Sequence, residues 1–396
     1  MKSPAQTVSL GPWSNGLQNV YDPAMAPATT LVEADNVYIG NGLGVIEPRK
    51  GYAPLAVGVH SLFYHNKKAY GIYGEYVSEL TEDGARTLSN FQVEGKVTWG
   101  ILEGDPVLTN SSILAKITNG TATRIGVETP VVSVSSAQTA TSATVAVSFV
   151  NLDGEEGPLS PTFESGTVQA PAENNIAYMR VYATQATEVV TDGVTEKVYG
   201  GDVLYLVAEI APGPALVSAQ TYVGAPIGRP ADNMNRARMP GGSYVRYWRG
   251  RLLVARGRTL FFSDPLRYGM YDQSAGFVTF ESRIDFIESV DTGVFVGLRN
   301  NGVAFLAGDT PDQWQRIKAD IESAQPGTSM LIPTGQMSLD LTSKPEWVAV
   351  WFTQRGFALG LPSGTVIYPQ AELLSGLPLG NGSIHFDDDR LIVLSQ

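Results

Sequence analysis

The stretch Tyr244-Val245-Arg246-Tyr247-Trp248-Arg249-Gly250-Arg251-Leu252-Leu253-Val254-Ala255 decides the fold class. Its aromatic and β-branched residues suit two strands, and Arg249-Gly250 is a two-residue turn with glycine where positive φ is needed. The same strand-turn-strand phrase recurs five times. Ser61–Tyr64 turns at His65–Lys68 into Ala69–Tyr73, and Val97–Leu102 turns at Glu103–Pro106 into Val107–Thr109. Gly293–Leu298 turns at Arg299–Gly302 into Val303–Leu306, and Trp347–Phe352 turns at Thr353–Gly356 into Phe357–Leu361. The last is Ser383–Phe386, turning at Asp387–Asp389 into Leu391–Leu394.

These units follow one another at a few tens of residues, the size of a propeller blade, with one exception between the second and third. A small antiparallel sheet cannot bury both faces alone, so such units are expected to pack face to face in a ring. The expected fold is all-β: a β-propeller-like ring of about six blades. The alternative is an irregular pair of β-sandwiches. The long gap holds about a hundred extra residues, with strand patterns at Val131–Val150, Ile176–Ala183, Val203–Ile210 and Ala219–Val223. That is the size and rhythm of an inserted immunoglobulin-like or fibronectin type III sandwich. Val145, Val147 and Phe149 alternate, as do Tyr178, Arg180 and Tyr182, so one face is expected packed and one wet. The expected domains are 1–130 (N-terminal arm and first blades), 131–230 (inserted sandwich) and 231–396 (remaining blades). Helices are expected at Pro311–Glu322, from the spacing of Trp314, Ile317 and Ile321, and more weakly at Asp232–Met239 and Ala371–Leu374.

Composition agrees. The chain of 396 residues holds 42 glycines and 24 prolines, about one residue in six, which a helical bundle does not tolerate. With no cysteine there is no disulfide scaffold, thiolate metal site or thiol nucleophile. Three histidines (His60, His65 and His385) leave little for metal or triad chemistry, and no cofactor is expected. The net charge of −12 argues against a general nucleic-acid binder. The start, residues 1–13, has no apolar h-region, and no run of eighteen apolar residues follows. We therefore expect no secretion signal, no membrane insertion, and synthesis and folding in a cytosol.

The first fifty residues have their own character. Gly11-Pro12-Trp13-Ser14-Asn15-Gly16-Leu17-Gln18-Asn19-Val20 leads to Ala34-Asp35-Asn36-Val37 and then Arg49-Lys50-Gly51-Tyr52. This resembles the opening of virion structural proteins of tailed bacteriophages, which begin G-P-W-x-x-G-L-x-N-V and continue through an A-x-N-V strand to R-K-G-Y. Leu260-Phe261-Phe262-Ser263-Asp264-Pro265-Leu266, with Tyr271-Asp272 and Phe280, and the stretch Ile284 through Gly308 are similar too. The motifs are turns and strand ends spread over the chain outside the insert. The resemblance implies a β-propeller tail component such as the nozzle, or hub, of short-tailed phages. It implies a homo-hexamer below the portal and adaptor proteins, a conduit for double-stranded DNA without sequence-specific binding, and a platform for tail fibres. Its place would be the virion tail, assembled in the host cytoplasm.

Candidate site residues are interface residues. Trp13 is either an anchor in a neighbouring subunit or part of an N-terminal strand closing the ring against Leu391–Leu394. From Arg229 to Arg267 there are nine arginines and two acids, Asp232 and Asp264. Arg236, Arg238, Arg246, Arg249, Arg251, Arg256 and Arg258 are the candidates for contact with an acidic neighbouring subunit, preferred to DNA phosphate. The bland reading is strands whose outward arginines pair locally. Asp387–Asp389 and Asn151–Gly157 read as solvated turns, since calcium loops need spaced carboxylates. Gly40–Gly44 reads as a hairpin, since no helix follows it.

No enzyme is expected. There is no H-E-x-x-H, G-x-S-x-G or P-loop, and no recurring S-x-D-x-G-x-T-W; Gly308 to Trp314 departs from that pattern. The rival reading is a carbohydrate-binding or polysaccharide-degrading propeller of the virion.

Overall fold

The structure is a computed structural model. It describes residues 17–20, 22, 25, 30–31, 37–39, 46–48, 57–136, 143–191, 194–199, 203–319, 321–334, 346–369, 376–377, 380–387 and 390–395. Trp13, Gly40–Gly44, Asp388, Asp389 and the helix expected at Ala371–Leu374 lie outside them.

All six expected hairpins are present, and five sit in four-stranded antiparallel sheets whose strands run in sequence order. We call these meanders. Meander A is Val59–His65, Lys68–Tyr73, Tyr76–Thr81 and Gly84–Thr87. Meander B is Thr98–Leu102, Asp105–Thr109, Leu114–Thr118 and Thr121–Arg124. Meander C is Tyr244–Trp248, Arg251–Arg256, Thr259–Phe262 and Phe277–Thr279. Meander D is Ile284–Val290, Gly293–Leu298, Val303–Ala307 and Gln315–Ala319. Meander E is Ser329–Pro333, Trp347–Thr353, Gly356–Gly360 and Val366–Ile367. The sixth hairpin, Gly382–Asp387 with Arg390–Ser395, is a two-stranded sheet, as is Val37–Ile39 with Ile46–Pro48.

The chain divides into two compact units. The first holds residues 1–74, 78–86 and 280–396. Within it, meanders D and E bury an aromatic seam of Phe286, Phe295, Phe305 and Trp351. Ring centroids lie 5.1 Å apart for Phe286–Trp351 and 4.6 Å for Phe295–Phe305. Glycines make room for these rings: a Cβ on Gly297 would lie 2.1 Å from the Phe286 ring, and one on Gly360 2.7 Å from Phe295. The other face of meander E packs Ile332, Val348, Val350 and Leu359 against Ile384 and Phe386 of the terminal hairpin.

The second unit holds residues 75–77 and 87–279. Meanders B and C pack face to face through Leu102, Val107, Leu114, Val245, Leu252 and Val254. Their leading strands touch edge-on: Thr98 Oγ1 donates to the Ser243 carbonyl at 2.6 Å, across 145 residues of sequence. Between B and C in sequence come two three-stranded sheets, Val132–Ser136/Ser165–Val168/Ala215–Ser218 and Val145–Asn151/Ile176–Ala183/Tyr205–Ile210. They share one core of Val145, Val147, Phe149, Phe163, Met179 and Val181. A further hairpin joins Ala186–Thr191 to Val194–Tyr199.

Three expectations are corrected. Pro311 opens only a 3-10 turn, Pro311–Gln313, and Trp314 leaves it with extended ψ of 120°. Gln315–Ala319 then pairs with Val303–Ala307 in unbroken register. The free edge of Val303–Ala307 offers a ladder of backbone bonds, and that outweighs a helical spacing of three side chains, of which Ile317 ends up exposed. Asp232–Met239 is not helical either: Asn235 has φ of 56°, and Arg236–Arg238 is a strand paired with Met270–Asp272. Lastly, Val145–Asn151 has no wet face. Ala146, Ser148 and Val150 are buried as fully as Val145, Val147 and Phe149, because Tyr182, Leu204 and a carboxylate network cover them.

Candidate functional site

The network begins in the turn after Val145–Asn151. Asn151 Oδ1 accepts the backbone N–H groups of Asp153 (3.1 Å) and Glu155 (2.8 Å), an Asx-type turn, and Gly154 takes φ of 81°. Sheet pairing resumes when Gly157 N–H donates to the Phe149 carbonyl. The turn therefore delivers Glu156 back over Ser148, and places Glu155 beside it.

Register supplies the partners. Ser148 faces Arg180 across one strand pair, and Arg180 faces Glu209 across the next, so the three form a row. Glu156 Oε1 accepts Ser148 Oγ at 2.6 Å, Tyr182 OH at 2.7 Å and Asn233 Nδ2 at 3.3 Å. Glu156 Oε2 accepts Arg180 at 2.6 Å and also Arg229. Arg180 Nε also donates to Glu209 at 2.9 Å. Burial opposes the Arg180 charge, but the bonds to Glu209 and Glu156 outweigh it and raise its pKa. Burial, reinforced by Glu156, raises the Tyr182 hydroxyl and keeps it a donor. Asp232 binds Arg267 and Arg229, and these hold its carboxyl below the ordinary range against the push of burial.

Beside this network lies a cavity of about 410 Å³ whose wall includes Glu155, Asn175, Arg229, Asn233, Leu266 and Tyr268. Burial raises the Glu155 carboxyl; Arg238 opposes this more weakly. The only hydrogen bond reaching the Glu155 side chain from a described residue is a long one, 3.4 Å, from Asn151 Nδ2.

The arginines of the 229–267 segment divide by place. Arg236 binds Asp264 at 2.6 Å and Asp272 at 2.5 Å; Arg238 binds Glu173 at 2.7 Å. Arg246 donates to the carbonyls of Trp99 and Val245, Arg251 donates to the Ser263 carbonyl, and Arg249 lies over the Trp248 ring. Arg256 and Arg258 are exposed on either side of Gly257 at the tip of a meander C hairpin, and neither has a polar partner among the described residues. Trp13 lies outside those residues.

The Glu156 network escaped the sequence reading because its turn looked like any charged glycine turn. The available signal was Arg180, a cation at an alternate position of an otherwise apolar strand, which needs an acid nearby. Among the described residues no group of three or more acidic or histidine side chains is arranged to hold a metal, and no helix is long and apolar enough to cross a membrane.

No family model matches this chain, and no curated protein matches it. Among solved structures it is similar to the computationally designed Ika8 protein, with 11% identity and a TM-score of 0.28 over 86% of this chain and 96% of that one. Another is Sqt1 of Saccharomyces cerevisiae: 8% identity, TM-score 0.21, covering 74% and 93%. A third is apo AztD from Citrobacter koseri: 11% identity, TM-score 0.27, covering 82% and 87%. Superpositions this loose carry nothing about function. The chain itself is all-β, with several four-stranded antiparallel sheets.

Proposed function

We propose that this chain is a structural subunit of a bacteriophage tail, the nozzle or hub. In this reading the meanders are blades of a propeller-like ring, the terminal hairpin belongs to a sixth blade, and residues 131–230 are an immunoglobulin-like sandwich inserted between the second and third. Six copies surround the DNA path below portal and adaptor, and the insert offers a platform for fibres.

The observation that supports it most is the series of meanders in sequence order, interrupted once, in a chain whose turns and strand ends resemble those of phage virion proteins. The charge distribution adds to this. Arg229, Arg236, Arg238 and Arg267 meet carboxylates within the chain. The net −12 is then left to the rest of the surface, which suits a passage that must not hold DNA. Arg256 and Arg258, exposed on a hairpin tip, are the arginines best placed to meet an acidic neighbour.

Electron micrographs of intact virions labelled with antibody to this chain test the reading. Label at a six-fold collar between portal and tail tip is the expected result. Label on the capsid, or a chain found only outside virions, overturns it. Arg256→Glu with Arg258→Glu should reduce incorporation into tails while leaving the isolated chain folded.

A further inference from the structure

The cavity beside Glu156 is lined by charged and amide side chains together with Leu266 and Tyr268. Its volume, about 410 Å³, falls within the ~300–1,000 Å³ of small-molecule sites. The wall carries five cations (Lys116, Arg124, Arg180, Arg229 and Arg267) and four acids (Asp153, Glu155, Glu156 and Asp232). Most are engaged: Glu156 with Arg180 and Arg229, Asp232 with Arg229 and Arg267, and Lys116 with Asp105. A near-balance of paired charges gives neither an anion nor a cation a net field to enter.

What remains unsatisfied is hydrogen-bond acceptance. The side-chain oxygens of Asn175 and Asn233 are buried and receive no donor among the described residues. Asn233 is almost wholly buried, and its amide nitrogen is committed to Glu156 and the Gly157 carbonyl, so the orphan oxygen is not relieved by a flip. Glu155 adds a carboxyl with a single long bond among the described residues. Buried acceptors are rarely left unpaired, so a donor from outside the chain, a water or a ligand hydroxyl, completes them.

The rim adds an apolar surface under strain. Leu266 is 72% exposed yet holds φ of 58°, a left-handed conformation that a bulky side chain adopts at a cost. Its N–H is pinned to the Gly250 carbonyl at 2.8 Å. Strain of this kind gathers at ligand sites, where the surrounding structure holds it. Tyr268 stands two residues on, its hydroxyl donating to Glu103, so that its ring is fixed in place.

From these observations we infer that the cavity is a binding site for a neutral saccharide unit. Sugar hydroxyls supply donors for the carboxyl and amide oxygens, half-exposed Arg229 and Arg267 donate to sugar oxygens, and the C–H face of the ring lies against Leu266 and Tyr268. The inference stands apart from the tail reading: it concerns a ligand, not assembly.

Saturation-transfer NMR on the full purified chain tests it, using galactose, N-acetylglucosamine and maltose as probes with inorganic phosphate and spermidine as charged controls. At least one sugar should bind at about 10 mM or below, a weak affinity ordinary for a small polar ligand. Leu266→Gly relieves the left-handed strain, so it should raise or preserve the unfolding temperature while weakening sugar binding at least threefold. Glu155→Ala should weaken it at least tenfold. No response from any of the three sugars overturns the proposal. So does preferential binding of phosphate or spermidine, and so does sugar binding unchanged in both variants.

Discussion

The D–E seam and the Glu156 network hold their parts of the molecule together by opposite means. The seam is four aromatic rings closed over glycines, and its polar atom, the Trp351 indole N–H, donates to the Glu322 carbonyl at 3.2 Å. The network is one carboxylate receiving five hydrogen bonds from three chain segments, with three arginines and Asp232 around it. Ring packing tolerates changes of pH and salt but not of volume. A carboxylate network tolerates small changes of volume but not the loss of its acceptor. The seam is therefore a structural constant, while the network responds to its solvent.

Breaking each side tests the contrast. Trp351→Ala should cost the most, about 3–5 kcal/mol, since the ring is wholly buried against Phe286 and Phe295. Thermal unfolding should show a loss unaffected by salt. Glu156→Ala strands Arg180, Tyr182, Ser148 and Asn233 together, and should cost about 3 kcal/mol. Here Glu156→Gln, which keeps the shape, separates lost charge from lost volume; equal unfolding midpoints for Glu156→Gln and wild type would remove the electrostatic account. Gly297→Ala forces the Phe286 ring aside and should cost about 1–3 kcal/mol by denaturant titration.

Acid sharpens the same difference. Asp232 has its carboxyl held low in the folded chain, so the stability it contributes is present above the unfolded value near 3.8 and is lost as pH falls through its folded value. Glu155 has the opposite sign. Its raised carboxyl destabilises the fold at neutral pH, and protonation relieves that as pH falls through the raised value. Glu155→Gln should raise the unfolding midpoint at pH 7 and leave it unchanged at pH 4; equal midpoints at pH 7 would count against it. The smallest effect is expected at the Arg249-Gly250 turn. Arg249 holds φ of 45°, so Arg249→Asn should stabilise by about 0.5–1 kcal/mol.

The hairpins were legible because their turns are local: Arg249-Gly250, Glu103-Gly104 and Asn300 specify reversal within a few residues. The long spacing that revealed extra residues between meanders B and C was legible for the same reason. Gln315–Ala319 was not, because what makes it a strand is the free edge of Val303–Ala307, which no local spacing records. The Glu156 network was hidden for a related reason. Ser148, Glu156, Arg180, Arg229 and Asn233 span some eighty residues and meet only through sheet register, and the acid sits in a turn that chemistry alone would leave in water. The cavity needs both, since its wall combines that turn with the strand-to-strand loop at Leu266.

The hydrogen bond from Thr98 to Ser243 has a bearing on the order in which the chain takes shape. Its partners leave the ribosome 145 residues apart, so meander B waits, exposed along its leading edge, until meander C exists. Closing a loop grows only slowly more costly with length, by about 0.6 kcal/mol per doubling, but the waiting surface is open to wrong pairings. The intervening sheets do not shorten that wait, but they shorten the loop that has to close. Val127 is already in their core and Pro230 already bridges to Tyr205. Once they have folded, the flexible tether between B and C shrinks from more than a hundred residues to two short lengths. The sheets between meanders B and C then act as a spacer that holds the ends of the two meanders near each other.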